Sequence, residues 1–127
     1  MTAEPKKEDH DTFWTIKDAD RLNKPCRTGS LVKCGDKVRL EHTDTGRNLH
    51  SHLGVKAPLS TRQEVSGFGD DGSGDQGDDW ELVCNTEPSY GPVKQSGETL
   101  TGADSFHVKH VDSGCLLVAD SSHRFNN

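Results

Sequence analysis

Two histidines, His50 and His52, stand two residues apart in the run Arg47-Asn48-Leu49-His50-Ser51-His52-Leu53. On a strand that spacing puts both imidazoles on one face, where they can share a metal ion. Zinc needs a third or fourth ligand, and the adjoining sequence offers none. Two other readings compete with a metal: rings that hydrogen-bond to nearby loops, and a shallow polar groove that recognises a ligand or partner. Arg47, His50 and His52 are accordingly read as ligand- or partner-binding residues, with no metal and no cofactor assigned.

Three other groupings invite chemistry. His42 and His110 each precede a turn of matching sequence. Paired histidines can serve acid–base catalysis, but equivalent places in two repeats favour a shared structural task, such as an imidazole bonded to the turn. The segment from Asp70 to Asp79 holds five aspartates among glycines. Calcium takes oxygen ligands, yet Gly72 and Gly74 stand where the EF-hand pattern needs oxygen side chains. A solvated acidic loop is the reading adopted. Serines, histidines and aspartates are scattered through the chain, but no nucleophile elbow, zincin motif or phosphate loop joins them. The chain is read as having no catalytic residues and as not being an enzyme.

The elements that position these residues are strands. Lys37-Val38-Arg39-Leu40-Glu41-His42 alternates polar and apolar, which makes a half-buried strand with Val38, Leu40 and His42 inward. Thr43-Asp44-Thr45-Gly46 is a hairpin turn, since Asp starts turns and Gly accepts positive φ. The return strand carries Leu49, Ser51 and Leu53 on one face, so His50 and His52 point the other way. Glu64 to Phe68 and Trp80 to Cys84 read as further strands, and Trp14 and Trp80 as core anchors. Asn85 to Asp104 is rich in Pro, Gly, Ser and Thr, so it is mostly loop. No window shows the 3.6-residue period of a long amphipathic helix. The chain is all-β.

Composition narrows the function classes. The 127 residues suit one domain. A net charge of −6 argues against nucleic-acid or anionic-membrane binding. No apolar run approaches the roughly 20 residues of a membrane span. The first 11 residues are charged and polar, read as a disordered tail rather than a signal peptide. The end, Arg124-Phe125-Asn126-Asn127, is not an ER-retention tetrapeptide. Cys26, Cys34, Cys84 and Cys115 lack C-x-x-C spacing, and they allow three full disulfide pairings among which sequence does not choose.

An internal repeat organises the rest. Val38 to Leu49 aligns with Phe106 to Leu117, matching His42 with His110, Asp44 with Asp112 and Gly46 with Gly114. The strands at Trp14 and Trp80 repeat in the same register. Units of strand, turn, strand, long loop and Trp strand suit a β-trefoil. Three such units need roughly 200 residues, so the trefoil is expected to be incomplete here and completed by further sequence or another chain.

These segments resemble the MIR repeat. The resemblance rests on Val32 to His42, on Thr45-Gly46-Arg47-Asn48-Leu49-His50-Ser51-His52, on Gln63 to Gly69, and on Gly77-Asp78-Asp79-Trp80 with the strand that ends at Cys84. It is similar above all to the second repeat of the stromal cell-derived factor 2-like family, with one complete repeat at 28–84 and the start of the next at 105–127 in a trefoil region of 12–127. The first repeat is nearly absent, and Leu117-Val118-Ala119-Asp120 replaces the Leu-His-Ser-His of the third. The resemblance implies a β-trefoil, residence in the ER lumen and no catalytic activity. It implies an adaptor role in protein quality control, beside a luminal J-domain co-chaperone and its chaperone complex. The alternative it leaves open is a carbohydrate-binding module, such as a luminal domain of a protein O-mannosyltransferase. A sugar ring usually stacks on an exposed aromatic, and Tyr90 is the only obvious one by sequence.

Overall fold

The computed structural model describes residues 10–19, 29–70, 73–119 and 122. Most of the expected tail, residues 1–9, lies outside them, as does Cys26. Six strands follow in chain order: β1 (Trp14–Asp18), β2 (Lys37–His42), β3 (Arg47–Lys56), β4 (Gln63–Phe68), β5 (Trp80–Cys84) and β6 (Phe106–His110). The remaining regular structure is three 3-10 turns, at His10–Thr12, Gln76–Asp78 and Pro88–Tyr90. The all-β expectation holds.

All pairing is antiparallel, in the order β4-β3-β2-β5-β6, with β1 also on β2. β2 is the hub because it pairs with three strands. Residues 38–42 pair with β1, Glu41 and His42 pair with Asn48 and Arg47 of β3, and Lys37 and Val38 pair with Glu81 and Trp80 of β5. β5 alternates strictly, burying Trp80, Leu82 and Cys84. With Val38, Leu49 and Cys34 these form the small apolar core. Trp80 is 1% exposed, and its Nε1–H donates to Leu49 O at 2.9 Å, so the indole ties β5 to β3 without an unpaired donor.

The repeat read from the sequence is present in three dimensions. Trp14 lies opposite His42, and Trp80 opposite His110. The ring centroids are 5.1 and 4.9 Å apart. In each turn a glycine N–H returns to the histidine carbonyl, Gly46 to His42 at 2.9 Å and Gly114 to His110 at 2.8 Å. Both glycines have positive φ, 65° and 69°, where a side chain would clash with its own backbone. The residue after each histidine also bonds across to the residue before each tryptophan, Thr43 to Phe13 and Val111 to Asp79.

Three expectations are corrected. Trp14 is not a core anchor: it is 38% exposed, because β1 is an edge strand that covers one side of β2 and nothing covers it among the described residues. Leu53 does not face inward and is 71% exposed. The β3–β4 pairing is irregular between Ser51 and Lys56, and beyond Ser51 the ribbon leaves the core. His50 does not turn away from the interior, since Asn48, Leu49, His50 and Ser51 are all buried in succession. A loop packs on the face that alternation assigned to solvent.

The long segment after β5 is loop, as expected, and is organised by two side chains. Buried Asn85 donates to the carbonyls of Glu87, Gly91 and Pro92. Asp104 accepts from Lys94 Nζ and from the N–H and hydroxyl of Thr101. The Lys94 bond, followed by the Thr101 bonds, holds its carboxyl below the usual carboxylate range.

A disulfide joins Cys34 to Cys84 across 50 residues, and Cys115 is free and exposed. Closing a loop of that length removes unfolded-state entropy worth about 4 kcal/mol. The paired substitution of Cys34 and Cys84 by serine is expected to lower the free energy of unfolding by about that amount in urea titration.

A buried aspartate–histidine site beneath the acidic loop

The histidine strand and the aspartate loop, which the sequence presents as separate features, are one site. The loop ends in the 3-10 turn Gln76–Asp78, capped by Asp75 in a reciprocal capping box. Asp75 Oδ1 accepts from Gly77 N at 2.7 Å, and Asp78 Oδ2 accepts from Asp75 N at 3.1 Å. That closure drives the Asp78 side chain inward, where it is fully buried. His50 Nδ1 lies 2.6 Å from Asp78 Oδ1, and Asn48 Nδ2 donates to Asp78 Oδ2 at 3.0 Å. A buried carboxylate without donors would be strongly destabilising; here both oxygens are occupied.

The loop is fastened from outside as well. Arg39 pairs with Asp79 at 2.7 Å, with both side chains mostly buried, and its Nη2 donates to Asp75 O at 3.0 Å. Close approach constrains residue size. A Cβ on Gly77 would lie 2.5 Å from His50 Cε1 and 2.7 Å from Ser51 O, so the loop backbone sits against the imidazole edge. A Cβ on Gly74 would collide with the Asp78 carboxylate. The solvated acidic loop is therefore corrected: Asp78 and Asp79 are structural partners of β3 and β2, and Asp75 is half-exposed at the rim.

Above Asp78 the His50 ring stacks on Phe68, with centroids 4.2 Å apart and planes 21° apart. It meets His52 edge-on at 4.4 Å. His52 is half-exposed, and its Nε2 lies 3.6 Å from Asp75 Oδ2. The structure thus brings His50 and His52 together and adds Asp75, a neighbour 23 residues away in sequence that no local spacing signals. Arg47 stands apart. It is at the turn end of β3, on the opposite side by strand alternation, with its guanidinium 3.5 Å from the exposed Asp70 carboxylate.

His42 and His110 do the shared structural task expected of them. His42 Nδ1 meets Thr45 Oγ1 at 2.9 Å, and His110 Nδ1 meets Ser113 Oγ at 2.8 Å. In each ring Nε2 faces a carbonyl, Asp11 O or Gly77 O, and so carries the hydrogen. The contact with Gly77 joins the second turn to the acidic loop. Gln63 completes the link by donating to Ser51 Oγ at 2.6 Å and Ser113 Oγ at 3.1 Å.

One substitution isolates the arrangement. Asp78→Asn keeps the shape but replaces an acceptor oxygen with a donor, which faces the donors of Asn48, Asp75 or His50. Breaking a buried pair in this way costs about 3 kcal/mol. The exposed turn substitution Asp112→Asn is expected to change stability by less than about 0.5 kcal/mol. Urea denaturation of the two variants checks the contrast.

Comparison with known proteins agrees with this architecture. The family described as MIR domain matches residues 1–126. Human stromal cell-derived factor 2 is 44% identical over 85 residues, covering 67% of this chain and 39% of that protein. A stromal cell-derived factor 2-like protein of Dictyostelium discoideum is 37% identical over 127 residues, covering 100% of this chain and 54% of the relative. The chain thus spans about half or less of the length of these relatives. The crystal structure of the SDF2-like protein from Arabidopsis thaliana superposes with a TM-score of 0.70 at 33% identity, covering 88% of this chain and 55% of that one. The S. cerevisiae protein O-mannosyltransferase Pmt1-Pmt2 complex bound to the sugar donor gives a TM-score of 0.72 at 28% identity, covering 91% of this chain and 16% of that one. On the match along its whole length, this chain belongs to the MIR domain family.

Proposed function

We propose that the chain is a non-catalytic binding module of the ER lumen that acts as an adaptor in protein quality control, beside a luminal J-domain co-chaperone and its chaperone complex. The observation that carries this reading is the 44% identity with human stromal cell-derived factor 2 over 85 residues. The geometry agrees with it. His42, His110 and Asp78, the groups best placed for acid–base work, are each engaged in bonds that hold a turn or loop. The Cys34–Cys84 disulfide suits an oxidising compartment. No helix among the described residues is long and apolar enough to cross a membrane.

The adaptor surface is the β3–β4 ribbon beyond Ser51. Leu53, Val55 and Leu59 are 71, 45 and 43% exposed there, on a hairpin that projects from the sheet. Apolar side chains grouped on a projecting ribbon fit a protein partner. Leu53→Asp is expected to weaken binding to a luminal J-domain co-chaperone at least tenfold while leaving the thermal melt unchanged. Absence of any complex with the folded wild-type chain, by analytical ultracentrifugation with the purified co-chaperone, would overturn the adaptor reading.

A second reading, carbohydrate binding, has a specific observation behind it. Tyr90 is not the only exposed aromatic: Phe68 is 42% exposed, and it stacks on His50 beside the half-exposed His52 and Asp75. An aromatic face with polar groups at its rim is the kind of surface on which a sugar ring rests. Titration with millimolar mannosides is expected to shift the Phe68 and His52 resonances on this reading, and unmoved spectra would dismiss it.

A further inference from the structure

We propose that His50, His52 and Asp75 form a binding site for a divalent transition-metal cation of the zinc class. One ligand atom from each of the three side chains lies within 4.8 Å of the others. His52 Nε2 and Asp75 Oδ2 are 3.6 Å apart. That is too long for a hydrogen bond, and it is close to the roughly 3.4 Å that separates two ligands at a tetrahedral angle, each about 2.0–2.1 Å from zinc. Two imidazoles with one carboxylate select zinc, copper or nickel over calcium or magnesium, which prefer oxygen ligands throughout.

The surroundings supply what a ligand pair alone would lack. A metal-bound histidine ordinarily gives its other ring N–H to a carboxylate, which fixes the ring and makes it a stronger donor. His50 is in that arrangement: Nδ1 is held by fully buried Asp78 at 2.6 Å and lies farther, 3.6 Å, from Asp75 Oδ1, which leaves Nε2 as the ring nitrogen with a free lone pair. No hydrogen bond engages Nε2 among the described residues. Phe68 stacks on the same ring, and Gly77 abuts its edge, so His50 has little freedom to turn away. Asp75 is anchored as the cap of the 3-10 turn through Oδ1, with Oδ2 on the His52 side. His52 and Asp75 are each about half-exposed, 49 and 45%. The cation therefore enters from solvent, and water completes its coordination. The site stands on this geometry whichever partner or sugar the surrounding surface takes.

The test is calorimetric titration of the chelator-treated chain with zinc chloride at pH 7.5. The expected result is binding of one zinc per chain, at least tenfold weaker in His52→Ala and in Asp75→Asn and unchanged in His107→Ala, which removes an exposed histidine of β6. Nitrogen-15 spectra of the wild-type chain report independently of any variant's folding: zinc should shift the ring nitrogens of His50 and His52 and leave those of His42 and His110 in place. No binding at a ratio of one, equal affinity in His52→Ala, or shifts confined to other histidines would each overturn the assignment.

Discussion

A carboxylate with no access to water holds the centre of this structure. Asp78 must find its hydrogen-bond donors inside the protein, and they come from three directions: the ring of His50, the amide of Asn48 and the backbone of Asp75. Two lie on β3 and one on the loop that delivers the aspartate. Satisfying one charge therefore fixes the strand against the loop, and through Arg39 and Asp79 against β2 as well. The apolar core is small, six buried hydrophobic side chains among the described residues. A chain with so little apolar surface to bury depends more than usual on polar contacts that specify where each loop belongs, and on the disulfide that limits its unfolded state.

The second organising element is the Trp–His unit that occurs twice. In both copies an indole packs against an imidazole, the imidazole binds a hydroxyl three residues on, and a glycine closes the turn. The copies differ in environment. His110 is buried against Gly77 of the acidic loop, whereas the first unit lies at the edge strand β1 and leaves Trp14 partly exposed. One local geometry thus serves an interior position and a surface one. The difference arises from what packs on top and not from the unit itself.

Strands, turns and repeat were legible in the sequence because they follow from local rules. Alternation marked β2, β-rich composition between turn residues marked β5, and Asp with Gly marked the turns at residues 43–46 and 111–114. The offset between His42 and His110 exposed the repeat. The site was legible only in part. The spacing of His50 and His52 identified the right strand, but alternation placed His50 in solvent, because nothing local says that a loop 25 residues later returns to cover it. Asp78 was hidden among identical neighbours; only its place at the end of a capped 3-10 turn separates it from Asp75, and that is a property of the folded loop. The signal available was Gly77 immediately before it, a residue small enough to let the backbone touch a ring. Leu53 failed for the complementary reason: its parity was right for the core, but the strand had already left it.

His50 gives its Nδ1 hydrogen to Asp78, while His42 and His110 carry theirs on Nε2. Long-range nitrogen-15 correlation spectra of the histidine rings at pH 8 measure this directly. The expected result is a protonated Nδ1 with an unprotonated Nε2 for His50, and the reverse pattern for His42 and His110. A His50 ring protonated on Nε2, or one averaging rapidly between the two forms, would mean that Asp78 does not hold it, and the link between the strand and the loop would fail.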